Sequence, residues 1–96
     1  MQDQQALSVF VVEDDEWYRE LLAYNLELNP DYQITKFETG TDCIQALNQR
    51  PDIITLDYRL PDMEGSEVLK RIKEFDPEIE VIIISEQENI ETAVEL

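Results

Sequence analysis

Apolar and polar positions along the chain alternate between two periods, one suited to buried strands and one to helices. Residues 8–13 (SVFVVE) are a short, nearly continuous apolar run, as a strand covered on both faces requires. Over 16–28 the period changes. Trp17, Leu21, Tyr24 and Leu28 recur at helical spacing, and Asn29-Pro30-Asp31 stops the helix. Residues 32–38 (YQITKFE) alternate, which predicts a second, more exposed strand. A helix over 41–49 brings Ile44 and Leu47 onto one face and ends at Arg50-Pro51. Residues 52–57 (DIITLD) predict a third strand, followed by a loop over 58–65. A helix over 66–75 carries Val68, Leu69, Ile72 and Phe75 on one side and breaks at Asp76-Pro77. The run 80–85 (EVIIIS) predicts a fourth strand, and Asn89 the N-cap of a last helix through Ile90 and Val94. Strands and helices in strict alternation predict an α/β fold, a parallel sheet with helices on both faces.

Length and composition narrow the function. At 96 residues and 43% apolar content, the chain is expected to be one domain, residues 1–96, with one core. It has no His, which excludes a Ser-His-Asp triad, a Cys-His pair and any His metal ligand. With Gly40 and Gly65 as its only glycines, it can write neither a dinucleotide-binding fingerprint nor a P-loop. Seven basic against 23 acidic residues give a net charge of −16, a field that repels nucleic acid and anionic membranes. Most of these acids are expected to form a solvated surface. The single Cys43 cannot make an internal disulfide, and the start MQDQQALSVF lacks the basic and apolar regions of a signal peptide. A cytoplasmic location is expected.

Three carboxylates stand apart from the solvated majority. Open α/β sheets gather functional groups beyond the carboxyl ends of their strands, where the strand order reverses. Asp14 and Asp15 follow the first strand and Asp57 closes the third. In a 2-1-3-4 order these strands are neighbours about 4.8 Å apart, so the three side chains are expected to converge. Two like charges roughly 5 Å apart at an effective dielectric near 20 repel by about 3 kcal/mol. Either one carboxyl keeps a proton or a cation sits among them. Oxygen ligands favour a hard ion such as Mg²⁺, which keeps several waters and commonly accompanies phosphoryl groups. A strand-end carboxylate beside such an ion can form an aspartyl phosphate, which makes Asp57 the candidate nucleophile. Ser85, ending the next strand, can donate a hydrogen bond to a phosphoryl oxygen. The plainer alternative is that these Asp residues cap the helices that follow them.

With these residues in view, the sequence resembles the receiver domain of a two-component response regulator over 8–96. The segments that carry the likeness are VVEDDEWYRELL (11–22), DIITLDYRLPDMEGSEVLKRIK (52–73) and VIIISEQENIETAVEL (81–96), the last in a style seen in transcriptional activators. The resemblance implies a flavodoxin-like (CheY-like) sheet in which Asp57 is the phosphoacceptor. It implies that Asp14 and Asp15 form the acidic pair that holds Mg²⁺, with Asp15 the direct ligand and the main-chain carbonyl of Arg59 a further contact. It also implies that Ser85 moves toward the phosphoryl group. The donor would be a sensor histidine kinase, and the readout an output domain or downstream protein. Such a domain is no enzyme toward external substrates; it assists only its own phosphoryl transfer and hydrolysis.

Two departures from the family are visible. Its fifth strand and helix, with a Lys that pairs with the phosphoryl group, are absent, which suggests a C-terminally incomplete receiver. Glu86 also follows Ser85 where the family has a small residue. Phosphatases of the haloacid dehalogenase class need a second Asp two residues after the nucleophile, where Arg59 stands. Toprim-type nucleic-acid cleavage would pair Glu13 with an Asp-x-Asp, which is missing. The remaining alternative is a receiver-like interaction module that is not phosphorylated. The first helix is apolar over a wide arc, and the fourth strand would be an open apolar edge. Self-association through that edge or that helix flank is therefore expected.

Overall fold

The computed structural model describes residues 6–85. Strands β1 (Leu7–Val12), β2 (Tyr32–Phe37), β3 (Ile53–Asp57) and β4 (Glu80–Ile84) alternate with helices α1 (Glu16–Glu27), α2 (Gly40–Gln45) and α3 (Gly65–Phe75). The expected helix at Asn89 lies outside the described residues. The strands pair in parallel in the order β2-β1-β3-β4, the flavodoxin-like doubly wound arrangement with its reversal between β1 and β3.

The alternation of side chains along β1 and β3 divides the interior in two. Phe10, Val12, Ile54 and Leu56 point to one face and pack with Cys43 and Leu47 beside α2 and with Val68 and Ile72 of α3. Val9, Val11 and Thr55 point to the other, where α1 lies over β1 and β2. Burial on both faces explains the unbroken apolar run of β1, while β2, at the sheet edge, keeps its alternation.

Two elements differ in detail from the sequence pattern. The second helix is shorter than the expected 41–49: α2 ends at Gln45, and Leu47–Gln49 tighten into a 3₁₀ turn. Pro51 disfavours helical backbone at Arg50, which instead takes a left-handed conformation with φ 59°. On α1, the row Trp17, Leu21, Tyr24 and Leu28 faces outward, with Trp17 72% exposed. The inner face is made by buried Arg19 and Ala23 and half-buried Tyr18, Leu22 and Leu26.

The β3–α3 loop is tied down at both ends. Asp62 accepts hydrogen bonds from the N–H groups of Gly40 (3.0 Å) and Thr41 (2.8 Å) and from the Thr41 hydroxyl, clamping the loop to the start of α2. The Thr41 hydroxyl bond holds the Asp62 carboxyl below its usual pKa. At the other end Gly65 donates to the Tyr58 carbonyl at 2.8 Å. A Cβ at Gly65 would lie 2.8 Å from Tyr58 Cα, so only glycine permits this return, and the return fixes the residue after Asp57.

Candidate functional site

The site grows out of the β1–β3 register. Val12 pairs with Leu56, so the next residues, Glu13 and Asp57, stand side by side at the carboxyl ends. Counting by twos from Val9 and Val11 puts Glu13 on the α1 face, and Thr55 puts Asp57 on the same face. Both are buried, Glu13 to 1% exposure and Asp57 to 5%. Asp14, one residue on, is exposed at the rim. Carboxylate oxygens of Glu13, Asp14 and Asp57 lie within 4.8 Å of one another.

Burial and crowding leave these groups short of charge relief. Burial raises the Glu13 carboxyl from 4.5 to about 7, and the charges of Asp57 and Asp14 push in the same direction. A hydrogen bond from the N–H of Asp15 (3.2 Å) opposes the rise only partly. The Asp57 carboxyl is also raised, chiefly by burial, although it accepts from the N–H of Arg59 at 3.1 Å. Without a cation, Glu13 therefore holds its proton to a much higher pH than an ordinary carboxyl, up to about 7. Three oxygen donors and no soft ligand fit a hard divalent ion, whose charge would replace that proton.

Of the expected trio Asp14, Asp15 and Asp57, Asp14 and Asp57 meet in the structure, and Glu13 joins them. Asp15 caps α1, its Oδ1 accepting from the N–H of Tyr18 at 3.1 Å. The acids grouped within 4.8 Å are Glu13, Asp14 and Asp57, without Asp15. The physical reason is the strand parity above: Glu13 is still governed by the β1 pleat, whereas Asp15 already belongs to the helix. Ser85 follows Ile84, the register partner of Asp57, and so stands at the neighbouring strand end. Arg59 offers its N–H to Asp57, and its backbone forms an isolated antiparallel bridge with that of Glu64 across the loop.

An open parallel sheet with a buried aspartate at its order reversal, and an acidic group around it, defines a doubly wound α/β module whose acids gather beyond the carboxyl ends of its strands. The family model described as the response regulator receiver domain matches residues 9–96. The chain belongs to that family, a family of two-component signalling modules rather than of enzymes with their own substrates. It is 42% identical over 74 residues to the regulatory protein LuxO of Vibrio cholerae, covering 75% of this chain and 16% of that protein. It is 38% identical over 78 residues to the transcriptional regulatory protein CssR of Bacillus subtilis, covering 81% of this chain and 34% of that protein. Among solved structures, the signal receiver domain of a LuxO repressor protein from Vibrio parahaemolyticus superposes with a TM-score of 0.79. Its sequence is 35% identical, and the match covers 94% of this chain and 69% of that one. The chain thus spans about a third or less of the curated relatives just described. Among the described residues, no helix is long and apolar enough to cross a membrane.

The strain of the acidic group is measurable. In Mg²⁺-free buffer at pH 7, Glu13→Gln is expected to be more stable than the wild type by about 1–2 kcal/mol, after discounting for screening at the pocket mouth. The sign follows from the raised pKa: the wild type loses stability as pH climbs from 4.5 to about 7, while Gln does not titrate. The difference should close below pH 4.5. Denaturant unfolding of both proteins across this range checks it; equal stabilities at pH 7 would contradict it.

Proposed function

We propose that the chain accepts a phosphoryl group on Asp57 from a phosphohistidine of a sensor kinase, in the cytoplasm, and passes the change to an output domain or partner. The observation that carries this reading is a buried strand-end aspartate within 4.8 Å of two further carboxylates. An Asp57 oxygen bonds to phosphorus as the phosphorus–nitrogen bond of the donor breaks, the electron pair leaving with the imidazole. Asp14, Asp57 and the main-chain carbonyl of Arg59 would hold Mg²⁺, with Glu13 behind them. The ion supplies the charge that lets a phosphoryl group approach so acidic a pocket. Among the described residues, the N–H of Arg59, now on Asp57, and the Ser85 hydroxyl are donors suited to the phosphoryl oxygens. We assign the whole of 1–96 to this single domain.

Acetyl phosphate with Mg²⁺, followed by intact-mass measurement, tests the chemistry. One phosphoryl group is expected on the wild type and on Asp15→Asn, and none on Asp57→Asn. Phosphate on another residue with Asp57 bare would overturn the mechanism, and no mass gain at all would leave an interaction module.

We also propose self-association. The outward row of α1 and exposed Ile82 and Ile83 of β4 are apolar surface that a second copy can cover. Sedimentation of the 96-residue chain over a concentration series should show a mass rising above the monomer. A constant monomer mass would refute this.

A further inference from the structure

Arg19 is a buried cation with an unusual choice of partners. It lies on the inner face of α1 at 8% exposure, directly beneath the turn that leaves β1. Buried arginines ordinarily neutralise a buried carboxylate. Here Nη1 instead donates to main-chain oxygens, to the carbonyl of Glu13 at 2.8 Å and that of Asp14 at 3.5 Å. Its ionic partner, Glu38 on Nη2, is 3.5 Å away with a side chain 69% exposed, so the pair is weak. The Arg19 N–H bonds the Asp15 carbonyl at 2.8 Å, so helix and turn are tied along the whole 13–15 segment.

The geometry has a consequence for the acidic pocket. A guanidinium on the carboxylates of Glu13 or Asp14 would occupy the oxygens a metal ion needs. On the carbonyls it braces the turn from behind, closely at Glu13 and loosely at Asp14, and leaves both carboxylates grouped with Asp57. We propose that Arg19 is a positioning residue for the divalent-ion site, fixing the turn that carries two of its three carboxylates. The inference rests on the metal reading given under Proposed function. Arg19 touches no reacting atom.

Mg²⁺ titration of the 96-residue chain, followed by Trp17 fluorescence without any phosphodonor, tests the idea on wild type, Arg19→Met and Arg19→Lys. Circular dichroism and melting are recorded alongside. Loss of an outer-shell group typically weakens metal binding 10–100-fold, so the Met variant is expected to bind roughly 10-fold or more weakly while still folded. Lysine keeps the charge but not the planar fork, so Arg19→Lys should fall between the two. Folded variants with the wild-type Mg²⁺ midpoint would overturn the proposal and leave the metal site standing. A wild type that ignores Mg²⁺ would overturn both. If the variants do not fold, the ¹⁵N signals of the Arg19 side chain in the wild type decide. They should shift with the Trp17 midpoint, and fixed signals during a Trp17 response would refute the role.

Discussion

Parallel pairing of β1 with β3 brings Glu13 and Asp57 to adjacent strand ends on one face, where burial denies them water. The surrounding structure holds these two buried carboxyl groups side by side. The apolar run of β1 is buried on both sides, which makes its register hard to slip, since a one-residue shift would turn every side chain over. The β3–α3 loop is clamped by Asp62 at α2 and by Gly65 at Tyr58, so the backbone beside Asp57 is fixed as well. Arg19 and the Asp15 cap hold the opposite side. Apolar packing thus supplies the stability that the acidic pocket subtracts, as is common at functional sites.

Most of the fold was legible because its elements differ in period and are separated by strong breakers. Asn29-Pro30, Arg50-Pro51 and Asp76-Pro77 each fall where an element ends. What the pattern could not fix was which side of a broadly apolar helix faces inward. In α1 and its C-cap the large residues Trp17, Tyr24 and Leu28 lie outside, and a charged residue, Arg19, lies inside. Size and hydropathy would rank them the other way; the carbonyls of Glu13 and Asp14 make the difference by accepting the guanidinium hydrogen bonds.

The convergence of Asp57 and Asp14 was legible for the same reason as the strands: both sit at a strand end beside the order reversal. Glu13 was missed although its signal was present. Once the first and third strands are set in register, parity alone places it next to Asp57, whereas Asp15 is a helix cap by position and chemistry. Counting pleats to the last strand residue, rather than looking for adjacent aspartates, would have found the pair.

The central claim is that Glu13, Asp14 and Asp57 form one cation-demanding group and that Asp15 stands outside it. The most direct test is the melting temperature as a function of Mg²⁺ for wild type, Asp14→Asn and Asp15→Asn, because an ion that binds only the folded chain must raise it. The wild type and Asp15→Asn are expected to rise with Mg²⁺, and Asp14→Asn to rise far less. A wild-type melt indifferent to Mg²⁺, or a response lost in Asp15→Asn and kept in Asp14→Asn, would contradict the account.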